Sequence, residues 1–145
     1  LRHDRTSQAL ASARRSNTSP PLLFLDLDKF KHINDSLGHG VGDRLLQAVA
    51  ERLADCVRTS DTVSRHGGDE FVILLANERP AQDAARAAEK ILIAMSTPFL
   101  IDGHQLHTST SIGISVFPLD GVDAASLIKN ADTAMYHAKE RGRNG

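Results

Sequence analysis

Little in this sequence draws it to a nucleic acid, a membrane or an oxidising compartment. Seventeen Lys and Arg against eighteen Asp and Glu leave a formal net charge of −1, so no strong field attracts a nucleic acid polymer or an acidic bilayer. The single cysteine, Cys56, excludes an internal disulfide framework and fits a reducing, cytoplasmic setting. Cys56 lies in a helix-like run and reads as a small core residue rather than a nucleophile. No apolar run approaches the roughly 20 residues needed to span a bilayer, and no signal peptide is visible. No stretch resembles a coiled coil, an internal repeat or a low-complexity segment. Neither a G-x-x-x-x-G-K-[ST] loop nor a G-x-G-x-x-G turn occurs, so a P-loop or Rossmann site is not expected.

What is present fits one domain. At 145 residues the chain is long enough for a proper core. It opens at Leu1 rather than Met and stops at Gly145, just after a helix-like run. Residues 1–145 are therefore expected to be one domain cut from something longer, whose parent could be membrane-anchored.

The pivotal stretch is Val63-Ser64-Arg65-His66-Gly67-Gly68-Asp69-Glu70-Phe71-Val72-Ile73-Leu74-Leu75. Gly67-Gly68 suits a two-residue hairpin turn, because both glycines accept positive φ. Asp69 and Glu70 follow at once, and the run Phe71 to Leu75 reads as a buried strand. A second acid cluster lies upstream. The continuous apolar run Leu22 to Leu25 marks a strand buried on both faces, and it ends in Asp26-Leu27-Asp28. Period-2 geometry puts both aspartates on one side. Asp28 reads equally as a cap for the following helix. That does not explain Asp26, whose neighbours are apolar. A buried unpaired carboxylate is costly, and a hard metal ion is its natural partner.

The remaining elements follow from periodicity and breakers. Arg2 to Arg15 predicts a surface helix, Lys29 to Leu37 a short one ended by Gly38-His39-Gly40, and Val41 to about Arg58 a longer amphipathic one. Asn34, His39 and Asp43 sit at that corner, where turn and capping chemistry accounts for them. Arg58 and Asp61, three apart, present either a solvated helix end or an anion-gripping edge. Ala81 to Met95 predicts a helix with Ala84, Ala88, Ile91, Leu92 and Met95 on its apolar face. Asp102-Gly103 predicts a second hairpin, from Phe99-Leu100-Ile101 into His104 to Phe117, with its second strand over Thr108 to Val116. His104 and His107 read as surface histidines, not zinc ligands. Asp123 to Arg141 predicts a final helix, whose trailing Lys139 and Arg143 either complement the dipole or grip phosphate. The order α-β-α-α-β-β-α-β-β-α fits an α+β fold, a mostly antiparallel sheet flanked by helices. If the two acid-bearing strands are neighbours, three carboxylates converge and require a divalent cation between them. Acids that bind Mg²⁺ through few protein ligands, with phosphates completing the shell, are the usual nucleotide-polymerising arrangement.

Gly67-Gly68-Asp69-Glu70-Phe71 resembles the signature of the GGDEF family, the diguanylate cyclases. Asp26-Leu27-Asp28-Lys29-Phe30-Lys31-His32-Ile33-Asn34-Asp35, Gly38-His39 and Gly42-Asp43 resemble its second block. Asn130 to Lys139 with Gly142-Arg143-Asn144 resembles its C-terminal block. The resemblance implies a palm-like nucleotide-cyclase fold and synthesis of cyclic di-GMP from two GTP, with release of two pyrophosphates. It implies two Mg²⁺ (or Mn²⁺) per active site, held by Asp26, Asp69, the Leu27 carbonyl and Glu70, with Asp69 also accepting the proton of the attacking 3′-hydroxyl. It implies that Asn34 and Asp43 read the guanine edge with His39 close by. Lys139 and Arg143 would hold the β- and γ-phosphates, helped by backbone amides near Phe30 and Lys31 and by Arg65. Arg58 and Asp61 stand where the family has its inhibitory product site. Catalysis would need a homodimer, and an attached sensor or phosphodiesterase domain is expected. The alternative is a regulatory module that binds GTP or cyclic di-GMP. Two departures stand out: the family's opening D-x-L-T-G-L-x-N-R block is absent, and His66 precedes the glycines, where it could tune the pocket.

Overall fold

The computed structural model describes residues 4–76 and 81–144. Its helices are α1 (Asp4–Ser16), α2 (Phe30–Leu37), α3 (His39–Cys56), α4 (Ala81–Met95) and α5 (Ala124–Asn144). Its strands are β1 (Pro21–Leu27), β2 (Thr62–Gly67), β3 (Glu70–Leu74), β4 (Phe99–Ile101), β5 (His104–Leu106) and β6 (Thr110–Val116). Four strands form one antiparallel sheet in the order β2-β3-β1-β6, and β4 and β5 form a separate pair. This is the expected α+β architecture, with helices on both faces of an antiparallel sheet.

The central strands divide their side chains between two cores by simple alternation. Leu23, Leu25 and Leu27 of β1, with Phe71 and Ile73 of β3, pack with Leu45, Val49 and Leu53 of α3 and with Ile91 of α4. Leu22 and Phe24, with Val72 and Leu74, pack on the other face against Leu10 of α1 and Leu127, Ile128 and Ala131 of α5. The run Leu22–Leu25 is apolar throughout because β1 is covered on both sides. Helix α5 lies so close to β6 that a Cβ on Gly113 would fall 1.8 Å from the Ala131 carbonyl oxygen. Among the described residues no helix is long and apolar enough to cross a membrane.

Several expectations are corrected. The strand anticipated over Thr108 to Val116 begins only at Thr110, and the hairpin partner of β4 is β5. The break occurs because Thr108 and Ser109 are diverted to β1: the Thr108 hydroxyl donates to the Asp28 carbonyl at 2.9 Å, and the Asp28 amide to the Ser109 carbonyl at 2.9 Å. Asp102 (φ 51°) and Gly103 (φ 81°) form the left-handed turn that Asp-Gly announced. In the other hairpin Gly67 still pairs with Glu70, so the loop is Gly68-Asp69 rather than Gly67-Gly68. A register shift between Arg65 and Gly67 moves the turn by one residue. Gly38 alone (φ 94°) separates α2 from α3, which starts at His39 rather than Val41. Leu92, expected on the apolar face of α4, is 45% exposed. Cys56 packs against the α3–α4 core, and burial pushes its thiol up, as suits a core residue.

Candidate active site

The carboxyl end of β1 is the point where the acids meet. Antiparallel register sets Asp26 directly opposite Glu70, and the Leu27 amide donates to the Asp69 carbonyl at 3.1 Å. By alternation, Asp26 and Glu70 share the sheet face covered by α5. The three carboxylates anticipated from two distant segments are therefore neighbours.

Their electrostatics show strain. Burial raises the Asp69 carboxyl above its ordinary range, and Asp26 raises it further through its charge and a hydrogen bond between the two carboxyls. Glu70 is raised by burial, then by the charges of Asp26, Asp69 and Asp132. Among the described residues, Lys139 opposes them. Lys139 Nζ, from the last turns of α5, lies 3.0 Å from Asp26 Oδ2 and 3.7 Å from Asp28 Oδ1. Lys139 thus pairs with both aspartates, a contact that neither role considered for it anticipated. Arg143 falls within α5, but its side chain lies outside the described residues.

Asp28 is not a helix cap. The residue before α2 is Lys29, in the left-handed region at φ 68°, and no side chain caps that helix. The Asp28 carboxylate instead accepts from the Ser109 hydroxyl at 2.8 Å and from Ser111 at 3.3 Å. The Thr110 hydroxyl donates to the Asp26 carbonyl at 3.0 Å. This hydroxyl run, 108–111, was missed in the sequence. Its signal was an unbroken Thr-Ser-Thr-Ser running into a strand. Asp132 was missed as well, although it lies seven residues, about two helical turns, before Lys139 on α5.

The second group lies where α2 meets α3. The Asn34 Nδ2 donates to His39 Nδ1 at 2.9 Å. Asp43 is exposed and opens onto a cavity of about 420 Å³, with Leu46 and Gln47 of α3 and Val63 and Arg65 of β2. Arg65 Nε also donates to the Gly68 carbonyl at 3.1 Å, bracing the acid turn. Lys31 is exposed in the first turn of α2. His66 does not enter this cavity. It lies on the opposite face of β2, edge-on to Phe24 with ring centroids 5.7 Å apart, so its contact is with the core under α5.

Arg58 and Asp61 part company. Asp61 is buried, and its carboxylate accepts from the Arg58 amide at 2.8 Å and the Ala76 amide at 2.6 Å. It ties the end of α3 to the end of β3, which the surface reading did not anticipate. Arg58 is exposed beside a cavity of about 370 Å³ that Arg86 and Lys90 of α4 also line.

Among the described residues no group of three or more His, Cys, Asp or Glu side chains is placed to hold a metal ion. Mg²⁺ requires none, because it binds through one or two carboxylates and keeps oxygen ligands from water and phosphate. An all-oxygen donor set whose carboxyls are raised first by burial and then by one another's charge fits that ion.

Comparison with known proteins gives the family of the chain. A family model described as "Diguanylate cyclase, GGDEF domain" matches residues 2–145. The chain is 50% identical over 145 residues to the bifunctional diguanylate cyclase/cyclic di-GMP phosphodiesterase MucR of Pseudomonas aeruginosa, covering 100% of this chain and 21% of that protein. The chain therefore spans about a fifth of that relative's length. Its fold superposes on the GGDEF domain of TpbB (YfiN) from Pseudomonas aeruginosa with a TM-score of 0.85 at 43% identity, covering 94% of this chain and 86% of the other. The GGDEF domain of DgcB from Caulobacter crescentus, solved in complex with c-di-GMP, gives a TM-score of 0.81 at 28% identity, covering 96% and 82%.

Proposed function

The chain belongs to the GGDEF, diguanylate cyclase, family, and from that membership we propose that it condenses two GTP into cyclic di-GMP with release of two pyrophosphates. The observation that carries the proposal is the Asp26–Glu70 cross-strand pair with Asp69 at the adjoining turn, a carboxylate cluster at the end of a buried strand. Asp26, Asp69, Glu70 and the Leu27 carbonyl would hold Mg²⁺ or Mn²⁺, two per site. A divalent cation supplies charge neutralisation at the α-phosphate and a lower pKa for the attacking hydroxyl.

The chain's own groups do the rest. Asp69, at the turn beside Asp26, accepts the proton of the 3′-hydroxyl. Asn34 and Asp43 hydrogen-bond the guanine edge, with His39 holding Asn34. A base that mispairs there leaves polar groups unpaired, which is the source of selectivity. Lys139 and Arg143 take the β- and γ-phosphates with Lys31 and the first amides of α2. In this assignment Lys139 leaves Asp26 when nucleotide and cation enter. Each domain holds one GTP, so two copies face each other across a twofold axis. Cyclic di-GMP bound at Arg58, beside Arg86 and Lys90, inhibits the reaction, with Asp61 acting through the backbone it holds.

Incubation of concentrated protein with GTP and Mg²⁺, followed by chromatography, tests this. Cyclic di-GMP that disappears in Asp69→Ala supports the cyclase. Absence of product from the wild type, with GTP still bound in calorimetry, would instead support a regulatory GTP- or cyclic di-GMP-binding module. That second reading is favoured by similar proteins named only as cyclic di-GMP phosphodiesterases, NbdA and PdeR.

A further inference from the structure

We propose that Gly42 is the positioning residue that sets the Asn34 amide for base recognition, so that the selectivity of the site depends on a missing methyl group; the inference rests on the base-reading role proposed for Asn34. Gly42 is buried in the first turn of α3. Its backbone is helical, so the left-handed freedom of glycine is not what the position uses. A glycine inside a helix is otherwise a disadvantage relative to alanine. Only space explains it. A Cβ built on Gly42 would lie 2.1 Å from Asn34 Oδ1, 3.1 Å from its Cγ and 3.3 Å from Phe30 Cζ. The neighbouring Gly40 offers a contrast, because a Cβ there would meet nothing nearer than an Arg44 nitrogen at 3.5 Å, an ordinary contact.

Asn34 is thus held at one end of its amide and given room at the other. Nδ2 donates to His39 Nδ1 at 2.9 Å, and Oδ1 lies over the bare face of Gly42. Its backbone is fixed too, since the Gly38 amide donates to the Asn34 carbonyl at 2.9 Å where α2 ends. The side chain cannot rotate without giving up the histidine, and it cannot stay where it is if Gly42 gains a methyl. Asp43, the next residue along α3, opens onto the adjoining cavity. One helical turn therefore presents the acid and makes room for the amide.

Calorimetric binding of a non-hydrolysable GTP analogue and its ATP counterpart to the wild type, Gly42→Ala, Asn34→Ala and the double variant tests this. Gly42→Ala is expected to weaken the GTP analogue about tenfold, the worth of one lost hydrogen bond, and to shrink the GTP-over-ATP preference by the same factor. In the Asn34→Ala background the same change should do nothing further. Wild-type affinity in Gly42→Ala, or an undiminished loss in the Asn34→Ala background, overturns the inference while leaving the base site standing. An Asn34→Ala variant that binds the GTP analogue normally removes the base-reading role and the inference together. Should Gly42→Ala not fold, the double variant, free of the collision with Asn34, is expected to; if it fails as well, the inference falls.

Discussion

The two hairpins use the same residues to opposite ends. Each closes on a two-residue loop containing one Asp and one Gly, Gly68-Asp69 between β2 and β3 and Asp102-Gly103 between β4 and β5. In the second, the aspartate adopts φ 51° to make the turn and its exposed carboxylate pairs with Arg44 of α3. In the first, a register shift delivers the aspartate to the end of β1, beside Asp26 and Glu70, where burial and like charge raise its carboxyl. A compensated acid at a surface turn is architecture. An acid pressed against other acids costs stability and persists where a ligand offsets it. Asp61 adds a third case, an acid buried with two backbone amides for partners.

Four variants sharpen this contrast, and the first has the largest expected effect. Asp26→Ala should lower cyclic di-GMP formation on the order of 10²-fold or more, while the urea midpoint stays near wild type or rises. A variant with near-normal turnover would break the assignment of the acid end as the reactive one. Asp61→Ala should do the reverse. Losing a buried carboxylate that serves two amides is expected to cost about 2–3 kcal/mol, read as a lower urea midpoint with GTP binding retained below the transition. Arg58→Ala should raise the inhibition constant for cyclic di-GMP about tenfold, the order of one charge-assisted contact, with unchanged stability; unaltered inhibition would sink the product site. Asp102→Asn, which keeps the tolerance for a left-handed turn, should change stability by about 0.5 kcal/mol or less and leave turnover alone.

The pH dependence of stability separates the hairpins in a subtler way. Asp69 and Glu70 bind protons more tightly in the folded state than in the unfolded one. Their contribution is therefore fully present below the ordinary carboxylate range and is lost as pH rises through their raised values. From about pH 4 upward, the metal-free wild type should lose melting temperature relative to Asp69→Asn. Parallel melting curves would mean that the acid turn carries no such burden.

Most of the fold was legible in the sequence. Alternation and apolar runs located β1 and β3, helical spacing located α3 and α5, and Asp102-Gly103 announced its own turn, because these signals depend on near neighbours in the chain. The acid residues of the site were legible as residue types, and the family resemblance linked them. The misreadings came where partners lie far apart. Asp28 looked like a cap, yet it accepts from Ser109 and Ser111, more than eighty positions on. Asp61 looked like a surface group, yet the Ala76 amide, fifteen residues away, draws it inside. Gly67-Gly68 looked like the loop, yet the pairing of Gly67 with Glu70 moved it by one residue.

By itself the sequence determined which segments become strands and helices, that one sheet is covered on both faces, and which carboxylates are available. Local sterics and hydrophobic period decide those matters within a few residues of chain. Only the tertiary structure decided that Asp26 faces Glu70, that Lys139 reaches back over more than a hundred residues to both aspartates, and that Asn34 occupies the space Gly42 leaves. Those are long-range pairings, set by antiparallel register and by how closely a helix can approach. No periodicity in the chain records them.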